Sequence, residues 1–268
     1  MLFKNFLIAA DVDGTLLNSE HVIPKKNIEA INYFRDNGGV FTLATGRAIP
    51  YTRTIAREIN LDVPAVVFNG GSVYDFSCNE FLWRSVLPLS VKEHIFDIKE
   101  KFPSLGINIM LGEDIYSVSS NFRSVEHAQI VGVEKKDCTF DDAPTENWDK
   151  MLIMDEIDVI DALFEYSSQL NLDGIHVTRS SPYFYEVLPG GVNKSVGLRE
   201  LIKLCGYDKR YIVAVGDFNN DIEMLQMADL GIAVGNAQDE VKKIADLIVC
   251  DNNSNPISDI VAHIKNTI

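Results

Sequence analysis

Two acidic segments of the chain carry residue types and spacings that could do chemistry. The first, Asp11-Val12-Asp13-Gly14-Thr15, places two carboxylates two residues apart, directly after an apolar run. Two such side chains share a face of an extended strand, and where the chain turns into a loop they can converge on one point. One carboxylate could then attack an electrophile while the other transfers protons, and their mutual repulsion favours a cation between them. Taken alone, the segment is equally typical of an Asx-type turn or a helix cap.

The second acidic segment, Gly216-Asp217-Phe218-Asn219-Asn220-Asp221, also follows an apolar run. Magnesium prefers oxygen ligands, commonly one or two carboxylates together with waters and substrate phosphate. Asp217 fits that role. Asp221 could orient a ligand water or cap the following helix, and the sequence leaves both interpretations open.

Two further segments could hold an anion. At Thr45-Gly46, a hydroxyl and backbone N–H groups at the start of a helix would form an anion cradle. A lysine such as Lys194, placed beside it, would neutralise phosphoryl oxygens and one of the carboxylates. On their own, Thr45 is an ordinary helix cap and Lys194 an ordinary surface lysine.

The elements that must position these residues follow an alternating pattern of apolar strands and helices in the first third and the last third of the chain. We expect the following strands and helices: strands at 6–10, 40–44, 65–68, 211–215, 230–234 and 247–249, and helices at 24–38, 50–60, 221–227, 237–245 and 256–264. This pattern predicts an α/β fold with a doubly wound, Rossmann-like parallel sheet. Right-handed crossovers would bring the polar strand ends to one edge of that sheet.

The middle of the chain has shorter strand candidates, near 107–110, 115–118, 152–154 and 184–188, and helices near 91–101 and 156–170. We interpret residues 83–187 as a smaller inserted α/β domain and residues 1–82 and 188–268 as the core domain. Asn69-Gly70-Gly71 precedes the insertion and Pro189-Gly190-Gly191 follows it, as expected for turns or hinges.

Composition limits the classes of partner. The formal charge of -15, from 24 basic and 39 acidic side chains, argues against nucleic acid or an anionic membrane as the main partner. The apolar start is interrupted by Asp11, too early for a membrane span, and the four cysteines form no C-x-x-C pair. We therefore expect a cytoplasmic protein with reduced thiols, and no nucleic acid, membrane or obligate protein partner.

Taken together and in this order, the segments resemble the four motifs of the haloacid dehalogenase-like phosphatase superfamily, and its Cof-type branch with an inserted C2-type α/β cap. Asp11-Val12-Asp13-Gly14-Thr15-Leu16-Leu17 resembles the first motif and Thr45-Gly46-Arg47 the second. Gly191-Val192-Asn193-Lys194 resembles the third, and Gly216-Asp217 with Asn220-Asp221 the fourth. One departure is Asn255-Pro256-Ile257, where relatives usually carry an acidic residue followed by Gly-Val.

The resemblance implies a magnesium-dependent phosphatase whose partner is a small phosphorylated metabolite, a phosphomonoester, with sugar phosphates as the expected class. Asp11 would be the nucleophile that forms an aspartyl-phosphate, and Asp13 the general acid and base. Mg²⁺ would be held by Asp11, Asp217 and the main-chain carbonyl of Asp13, with Asp221 behind them. The phosphoryl oxygens would be held by the following residues: Val12, Thr45, Gly46, Lys194 and Asn220.

Two alternatives remain open at this point. A phosphohexomutase with a similar cap would return the phosphoryl group to its substrate instead of to water. A non-catalytic phosphate-binding protein on the same scaffold would lose part of the catalytic set, whereas Asp11, Asp13, Lys194 and Asp217 are all present here.

Overall fold

The computed structural model describes residues 1–267. The strands are β1 (Phe6–Ala10), β2 (Val40–Leu43), β3 (Ala65–Val67), β4 (Ser72–Asp75), β5 (Glu80–Arg84), β6 (Gly106–Leu111), β7 (Asp114–Ser119), β8 (Lys136–Asp137), β9 (Lys150–Met154), β10 (Ile175–Thr178), β11 (Phe184–Pro189), β12 (Tyr211–Gly216), β13 (Leu230–Ala233) and β14 (Leu247–Ile248). The helices are α1 (Lys25–Asp36), α2 (Ile49–Glu58), α3 (Val91–Lys101), α4 (Phe122–Val131), α5 (Ile157–Ser167), α6 (Lys194–Cys205), α7 (Ile222–Met227), α8 (Asp239–Ile244) and α9 (Pro256–Thr267).

These elements form two compact units. The first comprises Met1–Gly46, Arg53–Trp83 and the chain from Asn193 to the end of the described residues. The second comprises Arg47–Thr52 and Arg84–Val192. That residues 83–187 form a cap domain stays a prediction.

The first unit is built on a parallel five-stranded sheet in the order β14-β13-β12-β1-β2. The central strands are almost entirely apolar and buried, as expected where a parallel sheet is covered on both faces. Apolar side chains of α1, α6 and α9 complete the core, among them Phe34, Leu198 and Ile260. The predicted α/β class with a parallel core sheet is therefore confirmed.

Strand β3 does not belong to the parallel five-stranded sheet of the first unit. It pairs antiparallel with β4 in a separate three-stranded sheet, and it joins β2 only through an isolated parallel bridge between Ala44 and Val66. The cause is local, because Phe68 and Asn69, with φ of 54° each, and Gly70, with φ of 94°, turn the chain back directly after the strand.

The second unit contains a six-stranded sheet in the order β10-β11-β9-β6-β7-β8, antiparallel except for the β7–β8 pair. Met151 and Ile153 of β9 pack in one core with Ile95 of α3 and Leu163 of α5. Side chains alternate along a strand, so Lys150 of β9 lies on the face opposite Met151 and Ile153.

The second unit contains a buried ion pair. The Nζ of Lys150 lies 2.7 Å from Oε1 of Glu186 in β11, and both side chains are almost fully buried. The same carboxylate accepts a hydrogen bond of 2.5 Å from Ser180. Loss of one partner removes a close opposite charge from a buried ion, which is strongly destabilising.

We predict that Glu186→Gln lowers the local stability of this sheet by about 3 kcal/mol. Native-state hydrogen exchange of the β9 and β11 amides measures the effect. Glu165→Gln, at an exposed position on α5 of the same unit, is the matched control. Equal protection in the two variants would show that the ion pair does not stabilise the sheet.

Candidate active site

The first and fourth motifs meet at the carboxyl edge of the parallel sheet of the first unit. Asp11 follows β1 directly and Asp217 follows β12 directly. The two strands pair in register up to Ala10 and Val215, and the N–H of Asp11 donates to the carbonyl of Val215 at 3.0 Å. The sheet therefore brings together residues that are far apart in the sequence.

Three carboxylates converge at this edge. Asp11, Asp217 and Asp221 each offer one oxygen, and these oxygens lie within 4.8 Å of one another. Asp11 is 5% exposed and Asp221 is fully buried. Three carboxylates this close repel one another unless positive charge lies between them.

Lys194 supplies one positive charge from a distant part of the sequence. It is the first residue of α6, where the side chain of Asn193 accepts the N–H of Val196 and caps the helix. Its Nζ, on a side chain only 1% exposed, donates to Oδ1 of Asp11 at 2.5 Å and to Oδ1 of Asp221 at 2.6 Å. Lys194 is thus a buried bridge between two carboxylates, and the surface-lysine interpretation is excluded.

Asp221 fixes the geometry of the loop after β12. Its second carboxylate oxygen accepts the backbone N–H groups of Asp217 at 3.0 Å and of Phe218 at 3.1 Å. These bonds fold the loop back on itself, and the side chain makes no capping hydrogen bond to α7. Of the two interpretations that the sequence left open, a simple cap of the next helix is therefore the poorer one.

Burial and the neighbouring charges shift the pKa values of the clustered carboxylates. Burial raises the pKa of Asp11 well above its usual value, opposed by Lys194 and reinforced by the neighbouring carboxylates of Asp221, Asp217 and Asp13. Burial and Asp221 raise the pKa of Asp217 to about 7, although a hydrogen bond from Thr15 opposes the shift. The cluster is short of positive charge even with its lysine in place.

Lys194 nevertheless remains charged. Burial alone would lower its pKa, but the carboxylates of Asp11 and Asp221 raise it above the ordinary value for a lysine. A single ammonium group therefore faces several carboxylates that all favour a further cation.

The turn of the first motif places Gly14 and Thr15 against Asp217. Asp13 is exposed to solvent. Gly14 has φ of 74°, and a side chain there would overlap the carboxylate of Asp217, so both backbone and space require glycine. The hydroxyl of Thr15 donates to Oδ1 of Asp217 at 3.0 Å, and Val12 is buried.

The predicted anion-binding residues Thr45, Gly46 and Asn220 gather around Asn69. Thr45 is buried after β2, and its carbonyl accepts the N–H of Asn69 at 3.0 Å. A side chain at Gly46 would lie 2.8 Å from Oδ1 of Asn69, and Nδ2 of Asn220 donates to that same oxygen at 2.8 Å. Asn69 thereby links the second motif to the fourth.

Asn69 and two further asparagines support the site without having been predicted to do so. Nδ2 of Asn236 donates to the carbonyl of Gly14 at 2.8 Å, and Oδ1 of Asn236 accepts the N–H of Asn252 at 2.8 Å. Nδ2 of Asn252 donates to the carbonyl of Leu17 at 3.0 Å. The segment 252–255 is therefore not the plain polar loop that its composition suggests, because it holds the end of the first motif.

The donor set at this edge fits a hard divalent cation. It consists of carboxylate oxygens, which such cations prefer, with Lys194 already occupied by Asp11 and Asp221. The raised pKa values of Asp11 and Asp217 point the same way. A divalent metal between Asp11 and Asp217 would relieve the repulsion that the lysine leaves.

The fold and the site define an α/β enzyme with a cluster of carboxylates, suited to bind a cation, at the carboxyl edge of a parallel sheet. The chain belongs to the haloacid dehalogenase-like hydrolase family, whose model matches residues 8–261. The predicted family membership, and with it the prediction of an enzyme of this class, is confirmed.

Individual relatives match over nearly their whole length. The chain is 28% identical over 261 residues to the 5-amino-6-(5-phospho-D-ribitylamino)uracil phosphatase YitU of Bacillus subtilis, covering 95% of this chain and 96% of that one. It is 30% identical over 257 residues to YcsE of the same organism, which is also named a 5-amino-6-(5-phospho-D-ribitylamino)uracil phosphatase, covering 96% of this chain and 94% of that one. A solved haloacid dehalogenase-like hydrolase from Bacteroides thetaiotaomicron is 27% identical, with a TM-score of 0.84, covering 97% and 99%.

Proposed function

We propose that this protein is a phosphatase that hydrolyses phosphomonoesters of small metabolites through a phosphorylated Asp11. The observation that carries the proposal is the position of the Asp11 carboxylate. It is buried, held at one oxygen by Lys194, and clustered with Asp217 and Asp221. A carboxylate fixed in this way is oriented to attack an electrophile, and a divalent cation held by the cluster would neutralise the negative charge that a phosphomonoester brings.

In the first step, a carboxylate oxygen of Asp11 attacks phosphorus and the bond to the ester oxygen breaks. Asp13 donates its proton to that leaving oxygen. In the second step, Asp13 accepts a proton from water, whose oxygen attacks the same phosphorus and releases inorganic phosphate and free Asp11. The exposure of Asp13 supports this role, since both the leaving oxygen and the attacking water must be able to reach its carboxyl group.

The phosphoryl oxygens are held by residues of all four motifs in the first unit. The proposed contacts are the N–H of Val12, Thr45, Gly46, Lys194 and Asn220. The hydrogen bond between Asn220 and Asn69 supports this assignment, because it fixes the amide of Asn220 beside Gly46. Such preorganised donors stabilise the transferring group without reorganising during the reaction.

We further propose Mg²⁺ as the cation, held by the carboxylates of Asp11 and Asp217 and by the main-chain carbonyl of Asp13. Asp221 would lie behind the residues that hold the ion and would position them, because it accepts hydrogen bonds from Lys194 and from the N–H of Asp217. When bound, such an ion supplies positive charge that offsets the negative charge of the nucleophile and the phosphoryl group.

For the substrate we propose a phosphorylated sugar or polyol. The names of YitU and YcsE describe hydrolysis of a phosphate on a ribityl chain, and both relatives match nearly all of this chain. A screen of phosphorylated sugars and polyols ranked by kcat/KM would identify the preferred compound.

We predict that turnover of p-nitrophenyl phosphate depends on magnesium. Chelation should reduce the rate about 100-fold or more, because the cation supplies several kcal/mol of charge stabilisation. Adding Mg²⁺ back should restore the rate, which colour release measures. Turnover that persists in the presence of chelator would contradict the metal assignment.

An assay of the same protein with a hexose 1-phosphate distinguishes a phosphatase from the two alternatives, a phosphohexomutase and a non-catalytic phosphate-binding protein. A phosphohexomutase would convert a hexose 1-phosphate into its 6-phosphate isomer, whereas a phosphatase releases inorganic phosphate. A phosphate-binding protein without catalytic activity would do neither.

Location and further partners remain predictions. Within residues 1–267, no helix is both long enough and apolar enough to cross a bilayer. The expected cytoplasmic location, and the expected lack of nucleic-acid, membrane or obligate protein partners, follow from the sequence alone.

A further inference from the structure

A polar cavity of about 420 Å³ lies in the first unit between the C-terminal half of α2 and the turn that joins β4 to β5. Its lining includes Arg53, Arg57, Asn60, Phe76, Ser77 and Asn79. Two arginines and no carboxylate line this cavity, although the chain as a whole has 39 acidic residues against 24 basic ones. None of these residues belongs to the four motifs.

Arg53 is held firmly at the wall of the cavity. Its guanidinium lies 5.6 Å from the ring centroid of Phe76 and 6.0 Å from that of Tyr74. It also donates to Oδ1 of Asn79 and to the hydroxyl of Tyr74. An arginine oriented by two rings and two acceptors is preorganised, so that little side-chain entropy is lost when it binds an anion.

Arg57 lies one helical turn further along α2 and is exposed. It forms no ion pair with any residue in the described part of the chain. Two like charges four residues apart destabilise a helix. The helix dipole offsets part of this repulsion, because Arg57 lies in the last turn of α2. It does not explain why no acidic residue lines the cavity.

The neutral polar groups of the lining suit the same ligand. The amide oxygen of Asn79 is used by Arg53, which leaves its N–H groups to donate. Asn60 adds a second amide, whereas the hydroxyl of Ser77 donates to Asp75, which lies outside the lining. The cavity thus offers donors and positive charge within a volume typical of small-molecule sites.

We propose that this cavity is a second anion-binding site, which takes a small multivalent oxyanion such as a diphosphate group between Arg53 and Arg57. Arginine suits this role because its planar guanidinium binds phosphoryl oxygens in a bidentate manner. The site uses none of the groups of the acidic cluster, so the inference is independent of the proposed function.

The experiment is a calorimetric titration of the full chain with methylenediphosphonate, which cannot be hydrolysed at its bridging carbon. It is done without divalent cations, because diphosphonates chelate them. We expect Arg57→Gln to weaken binding about tenfold, and Arg57→Lys to weaken it less because it keeps the charge. In a separate assay, magnesium-dependent turnover of p-nitrophenyl phosphate by Arg57→Gln should stay within about twofold of wild type, since Arg57 takes no part in the proposed chemistry.

Arg199→Gln, at another exposed arginine of the same unit, is the matched control and should bind as wild type does. An affinity that is unchanged in Arg57→Gln would overturn the proposal. Equal weakening in Arg57→Gln and Arg199→Gln would overturn it as well, because the binding would then be unspecific attraction to positive charge.

Discussion

An Asp11→Asn variant is expected to fold and to lose its turnover by at least about four orders of magnitude. The amide keeps the shape of the side chain but cannot attack phosphorus as a carboxylate does. Asp11 follows β1 directly, and its side chain is buried against Lys194 at the carboxyl edge of the sheet. Steady-state hydrolysis of p-nitrophenyl phosphate at saturating Mg²⁺ measures the loss.

The matched control for this variant is Asp208→Asn, which removes one carboxylate from an exposed position of the same unit. It should leave kcat/KM within about twofold of wild type, as surface substitutions away from special features usually do. Circular dichroism of both variants verifies the fold. Substantial residual activity in a folded Asp11→Asn variant would mean that another group attacks the substrate.

A Lys194→Met variant should lose both activity and stability. The ammonium group bridges the carboxylates of Asp11 and Asp221, and its removal leaves two buried acids facing each other. We expect a loss of about 3 kcal/mol in the free energy of unfolding and a fall in kcat of about 100-fold or more. Urea unfolding and steady-state kinetics measure the two effects separately.

Lys203→Met is the matched control, since this lysine lies on the same helix, α6, with an exposed side chain. Its stability and rate should be close to those of wild type. A double variant, Lys194→Met with Asp221→Asn, removes one of the two facing charges. It should recover part of the stability but none of the activity. If Lys194→Met were as stable as Lys203→Met, the buried charge bridge would not stabilise the fold.

Much of the parallel sheet could be predicted, because its strands are short continuous apolar runs that end in polar segments. β1, β2 and β12 are buried almost throughout, so nearly every position carries an apolar residue. The acids after β1 and β12 were predicted to meet for the same reason, since parallel strands bring their carboxyl ends to one edge. The observed pairing of Ala10 with Val215 agrees with that expectation.

The sequence analysis did not predict α4 and β10 of the second unit, because their residues give only weak signals of a helix or a strand. α4 exposes Phe122, Val125 and Ile130, so these three apolar residues do not mark a face that packs on a core. Its clearest signal is the capping box of Asn121 with Ser124, which was not recognised. β10 alternates apolar and polar residues, Ile175-His176-Val177-Thr178, but over only four positions, which is a weak signal for a strand.

The supporting asparagines could not be predicted from local sequence. Asn69 and Asn220 are 151 residues apart, and Asn236 and Gly14 are 222 apart. Asparagine is also common in turns, so its presence in a loop carries little information about distant partners. Only the assembled sheet edge shows that these amides connect the motifs to one another.

The most direct test of the central claim is to identify the phosphorylated residue. The protein is mixed with a phosphorylated substrate and Mg²⁺, quenched rapidly in acid, digested and analysed by mass spectrometry. We predict one added phosphoryl group on Asp11, present during turnover and lacking in Asp11→Asn. A phosphoryl group on another residue, or rapid turnover without any phosphorylated Asp11 in the quenched enzyme, would contradict the proposed mechanism.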